Sequence, residues 1–177
     1  MDTILTVKKD DLNRLNPQEA VEFISQLLWA EATSIGLGIN KINIPSEIYV
    51  PDSGIDAVVT DAQVVGGQGI IKPGLTCYQI KTGDFNISQK NYIKEILFQK
   101  DTTMLKPKVK SCLDKNGTLV IVLFGWDKPE RRDDGLKNKF QEALIKIDDK
   151  YRTANIEIWR QNQIIGSYYF DNVTLEF

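Results

Sequence analysis

"GTLVIVLFGW", residues 117–126, is the stretch whose reading decides the fold. Its apolar residues run without alternation, which marks a strand covered on both faces. A strand of that kind sits in the middle of a sheet with helices on either side. The flanking segments fit this reading. "MLKPKVKSCLDKN" (104–116) reads as a helix with Pro107 near its start. "DGLKNKFQEALIKIDDKYR" (134–152) reads as a second helix, with Leu136, Phe140, Leu144 and Ile147 on one face. "NIEIWRQNQIIGSYYF" (155–170) predicts one or two closing strands. Just before residue 104, "SQKNYIKEILFQKD" (88–101) reads as a further helix capped by Ser88.

The first half of the chain opens on "NPQEAVEFISQLLWAEATSIG" (16–36). Asn16 suits an N-cap, Pro17 the first helical position and Glu19 the capping box. Gly36 or Gly38 is expected to end this helix. Its apolar stripe runs through Ala20, Ile24, Leu27, Leu28 and Ile35, and Glu31 falls on the same stripe. Trp29 and Trp126 are expected in the core. Residues 43–50 read as extended and broken by Pro45. "IDAVVTDAQVV" (55–65) is a β-branched strand, and "GGQG" and "KPG" are turns. A short strand is expected at 69–71. "LTCYQIKTG" (75–83) then pairs back as an antiparallel meander. The predicted class is α/β, a mixed β-sheet flanked by helices in one domain spanning 1–177.

Composition narrows the chemistry. The chain has 177 residues, enough for one core, and its 42% hydrophobic content is that of an ordinary globular protein. No apolar run approaches the roughly 20 residues that span a bilayer. "MDTILTVKKDD" does not resemble a signal peptide. Cys77 and Cys112 lack paired spacing and read as reduced core thiols of a cytoplasmic protein. There are 0 histidines, which excludes His-based triads and the usual zinc sites. Hydrolysis here must rest on carboxylates, lysine and a hard metal ion. Net charge is −2, but residues 1–88 hold 6 basic and 11 acidic side chains and residues 89–177 hold 16 and 13. Lys72, Lys90, Lys94, Lys106, Lys108 and Lys110 could track a phosphate backbone or simply solvate a surface. "GGQGIIKPG" lacks the spacing of a phosphate-binding loop.

One constellation stands out. Asp56 begins a strand, and Gln79 and Lys81 lie on the next substantial strand with one residue between them. Period-two geometry puts both on one face, with Ile80 on the other. A carboxylate on a buried stripe, as at Glu31, needs a cation or strong donors. "PDSGIDA" and "YQIKTG", preceded by a glutamate-bearing helix, resemble the PD-(D/E)XK nuclease superfamily, and more closely its Mrr-type branch with Gln-x-Lys. The resemblance covers about residues 16–126 and implies a restriction-endonuclease-like fold. Asp56 matches the metal-binding aspartate, Gln79 stands where most members have an acid, and Lys81 matches the lysine. Glu31 is the helical acid by its face, with Glu22 the alternative by its surroundings, "VEFISQLL".

That resemblance implies Mg²⁺-dependent cleavage of double-stranded DNA with little sequence specificity, Mn²⁺ being able to substitute. Mg²⁺ would be held by Asp56, Glu31, Gln79 and the carbonyl of Ile80, with Lys81 offsetting charge on the phosphate. It also implies a role like that of effector domains at the N-termini of prokaryotic anti-phage proteins, active when clustered as a homo-oligomer through regions outside this chain. Two other readings stay open: a nuclease fold that binds DNA or a protein without cutting, and an α/β domain with no nucleic-acid role.

Overall fold

The computed structural model describes residues 8–45, 54–64, 69–83, 92–125 and 133–170. Its centre is a five-stranded sheet in the order β1 (Ile42–Asn43), β2 (Ala57–Ala62), β3 (Gly74–Lys81), β4 (Thr118–Leu123), β5 (Asn155–Arg160). The first three strands are antiparallel neighbours; β3, β4 and β5 run parallel. The strand expected in 117–126 is β4, an interior strand buried along its whole length. Parallel neighbours need crossovers, and helices supply them. Between β3 and β4 come α3 (Tyr92–Leu97) and α4 (Pro107–Asp114), and between β4 and β5 comes α5 (Asp133–Ile145). The result is an α/β mixed sheet flanked by helices, consistent with a restriction-endonuclease-like fold.

Each sheet face has its own apolar core. Odd positions of β3 and β4, such as Cys77, Leu119, Ile121 and Leu123, pack with α3, α4 and α5. Even positions, such as Tyr78, Ile80, Val120 and Val122, pack with α2 (Pro17–Ser34) and with Leu12 and Ile164. Leu12 belongs to α1 (Lys9–Asn13) and Ile164 to α6 (Gln161–Phe170), which are joined by a hydrogen bond from the Gln161 amide to Asn13. Cys77 and Cys112 are both buried and free, and the Cys112 thiol donates to the Thr118 carbonyl at 3.7 Å.

The start of α2 follows its sequence signals. The Asn16 side chain accepts from the Glu19 amide at 3.0 Å, and Glu19 accepts from the Asn16 amide at 2.8 Å. The helix ends at Ser34, where the Leu37 amide reaches back to the Ala32 carbonyl at 2.7 Å. Five expectations need correction. Residues 69–71 are bends rather than a strand. Residues 161–170 are helical, not a second closing strand. Trp29 is 45% exposed and Ile35 lies outside the core. Ile147 falls beyond the end of α5 and is exposed. Ser88, Lys90, Trp126 and residues 46–50 lie outside the described residues. No helix among the described residues is long and apolar enough to cross a membrane.

Candidate active site

The site begins where β2 starts against the end of β3. Ala57 pairs with Tyr78, and the Asp56 amide extends that ladder by donating to the Tyr78 carbonyl at 2.8 Å. Asp56 thus flanks the Tyr78–Ile80 stretch of β3. The Asp56 carboxylate then takes the place of a strand carbonyl and accepts the Ile80 amide at 2.7 Å. Within a strand, the N–H and C=O of one residue point to the same edge. The Ile80 carbonyl therefore shares the edge that Asp56 occupies.

Gln79 and Lys81 occupy odd positions of β3, on the face covered by α4. Gln79 is 1% exposed, and among the described residues its Oε1 has no hydrogen-bond partner. Buried side-chain acceptors are nearly always satisfied, so this oxygen calls for an explanation. Lys81 is half-buried at the strand end. Burial pushes the Asp56 carboxyl above its ordinary range; the Ile80 amide and the ammonium groups of Lys81, Lys106 and Lys108 pull it back only in part. Asp56, Gln79 and Lys81 thus come together at one corner of the sheet.

Helix α4 brings the two other lysines. Val109, Cys112 and Leu113 bury its inner face. Its far end is tied down by Asp114, which accepts the Tyr151 hydroxyl at 2.8 Å and pairs with Lys150 at 2.9 Å. Those bonds, with Lys110, hold the Asp114 carboxyl well below the usual range. Lys106, the N-cap residue, is only 8% exposed. Its stem lies against Gly54, where a Cβ would stand 2.5 Å from the Lys106 Cδ. Gly54 also has φ +71°, so both its conformation and its missing side chain are needed there.

Glu31 does not join this corner. Its carboxylate accepts the Ile70 amide at 2.9 Å and the Ile71 amide at 3.2 Å. Gly69 permits the approach, since a Cβ there would lie 1.8 Å from the carboxylate. Glu31 therefore closes the turn before β3 on the opposite face of the sheet. The two ends of α2 explain why. Phe23 meets Phe124 edge-on at 6.2 Å, and the Phe124 amide donates to the Lys81 carbonyl at 2.8 Å. The amino-terminal half of α2 thus lies at the Lys81 end of β3, and Glu31 at the other end. Of the two helical glutamates, only Glu22 is at the correct end; it is exposed and accepts the Gln18 amide at 3.1 Å.

The lysines separate in the same way. Lys72 is 6% exposed, pairs with Glu157 at 2.9 Å and lies over the Trp159 ring at 5.3 Å, so it is not a backbone-tracking surface lysine. Lys110 is held by Asp114. Lys94 and Lys108 are exposed. Among the described residues, no three Asp, Glu or Cys side chains cluster as a metal site. The residues present still fit one hard cation: a carboxylate from Asp56, the unsatisfied amide oxygen of Gln79 and the Ile80 carbonyl are all oxygen donors. With one acid and one neutral side chain, binding would be weaker than at a two-carboxylate site. No family model matches the chain, and no curated protein or solved structure matches it either.

Proposed function

We propose that the protein is a Mg²⁺-dependent DNA endonuclease of low sequence specificity, serving as the effector of an anti-phage system. The observation that carries the catalytic part is the buried Gln79 Oε1, without a hydrogen-bond partner among the described residues, two residues before Lys81 on β3, with Asp56 bonded to the Ile80 amide between them. An acceptor buried without a donor is costly unless a ligand supplies one. The defence role rests on the resemblance alone.

When bound, Mg²⁺ would supply Lewis acidity towards the phosphate and a more acidic water. Asp56 and Gln79 would hold the cation, the first as the charged ligand and the second as a neutral one. The Ile80 amide keeps the Asp56 carboxylate oriented along the strand edge. Lys81 would place its ammonium against a non-bridging phosphate oxygen, where negative charge grows during displacement. Lys106 and Lys108 add positive potential at the same corner. No base-reading element is seen among the described residues, so backbone contacts dominate and discrimination between sequences is weak.

The test is plasmid cleavage in Mg²⁺ by the wild type, Asp56→Ala and Lys81→Ala. The expected result is conversion of supercoiled plasmid by the wild type and a loss of about 10²-fold or more in each variant. Equal rates in all three would reject the site. A second reading, DNA binding without cleavage, is favoured by the single carboxylate at the corner. It predicts no cleavage by any of the three, with salt-sensitive DNA binding retained.

A further inference from the structure

A groove of about 980 Å³ lies between α3 and the amino end of α4. Its floor is the turn closed by the antiparallel bridge between Phe98 and Leu105. The volume is at the upper limit for small-molecule sites. Lys94, Lys100 and Lys106 line it, opposed by Glu95 and Asp101, and Met104 offers a side chain that is 59% exposed. Lys106 is the hinge of the argument. It lines this groove, and its ammonium also acts on Asp56. The Gly54 contact fixes its stem between the two.

We propose that this groove takes the DNA strand leading away from the cleaved phosphodiester, with Lys106 holding the phosphate at the junction. The inference rests on the nuclease reading of the Asp56 corner and adds a strand path and a positioning residue to it. Three features favour a nucleic-acid strand. The lining has more ammonium groups than carboxylates. Lys108, next along α4, extends the positive potential towards Asp56. Met104 gives an exposed apolar surface for a sugar or base beside the cations, the combination that strand-binding grooves use. Of the lysines of 106–110, Lys106 lines the groove and acts with Lys108 on Asp56, while Lys110 pairs with Asp114 away from it.

The experiment measures fluorescence anisotropy of a labelled duplex oligonucleotide across a salt series, with Ca²⁺ replacing Mg²⁺ to prevent cleavage. Lys106→Met keeps the stem against Gly54 and removes the charge. It should weaken binding roughly threefold to tenfold and reduce the salt slope by about 1. Lys106→Arg should restore both, which a merely structural role would not require. Lys110→Met should bind as the wild type does. Unchanged affinity and slope in Lys106→Met would overturn the proposal, as would an equal loss in Lys110→Met. Plasmid cleavage separates the two levels. A wild type that cuts while Lys106→Met binds normally keeps the nuclease reading and ends the groove. A wild type that never cuts, with Lys106→Met still weakening binding, does the reverse.

Discussion

The two faces of β3 treat buried polar groups in opposite ways. On the α2 face the buried Glu31, Tyr78 and Lys72 all have partners. Glu31 takes two backbone amides, the Tyr78 hydroxyl donates to the Ile70 carbonyl at 2.8 Å, and Lys72 meets both Glu157 and the Trp159 ring. On the α4 face the Gln79 oxygen has no partner among the described residues, and Asp56 keeps its carboxylate in a poorly solvated place beside three ammonium groups. A satisfied buried polar cluster costs little and fixes a geometry. An unsatisfied one is a standing cost, tolerated where a ligand relieves it. The contrast separates architecture from chemistry without reference to any relative.

The largest effect expected from this contrast belongs to the matched face. Glu31→Ala strands the Ile70 and Ile71 amides in a buried turn. At about 1–3 kcal/mol for each group left unpaired, the fold should lose about 2–6 kcal/mol. Urea denaturation of wild type and variant reads this directly. Glu31→Gln, which retains one acceptor, should lose less. Cleavage by molecules that remain folded should be unaffected. A loss below about 1 kcal/mol would mean that Glu31 is not the structural acid described above.

Asp56 should behave in the opposite sense. Burial raises its folded-state pKa above the value of 3.8 for an unperturbed group. The folded protein therefore binds the proton more tightly than the unfolded chain does. Stability falls as pH rises from that ordinary value through the raised one, and the cost is complete above it. Asp56→Asn removes the charge but keeps an acceptor for the Ile80 amide. The variant should be more stable than the wild type near neutral pH, by about 1 kcal/mol, as is common where a functional group carries strain. The difference should vanish under acid conditions, where the wild-type carboxyl is protonated in both states. Thermal melts from about pH 2.5 to about pH 8 measure it. A destabilised Asp56→Asn at neutral pH would put Asp56 on the architectural side of the comparison.

Much of this was legible in the residues, and the misses have physical causes. The capping box at Asn16–Glu19 and the unbroken apolar run of β4 are local signals, and they located two elements well. The pair Gln79–Lys81 was readable because strand periodicity alone determines a shared face. Glu31 shows the limit. Helical periodicity gives the angle at which a side chain leaves the axis, and Glu31 is indeed buried on the stripe. It cannot give the direction in which α2 crosses the sheet, and that direction sends Glu31 to the wrong end. The strand expected at 69–71 failed for the same reason, because its amides are taken by a side chain from another element. The helix at 161–170 was hidden by its isoleucines and tyrosines. Its signal was Gln163, whose side chain accepts the Arg160 amide at 2.9 Å in the manner of a capping box. Lys72 escaped the sequence reading because a lone lysine before a Pro-Gly turn carries no information on its burial.

The smallest expected effect on stability is also the sharpest test of the comparison. Gln79→Met replaces the amide with a side chain of similar length and no strong acceptor. If the Gln79 oxygen is truly unpaired in the metal-free protein, nothing favourable is lost, and removing a buried unpaired polar group is close to neutral or mildly stabilising. The change should stay within about 0.5 kcal/mol by denaturation. The response to Mg²⁺ should change far more. A cation that binds only the folded state raises the melting temperature in proportion to the logarithm of its concentration over its dissociation constant. The wild type should show this rise in a Mg²⁺ titration, and Gln79→Met should show little of it. A variant that is destabilised by about 2 kcal/mol or more, yet still responds fully to Mg²⁺, would show that the amide supports the sheet. The two faces of β3 would then differ in detail and not in kind.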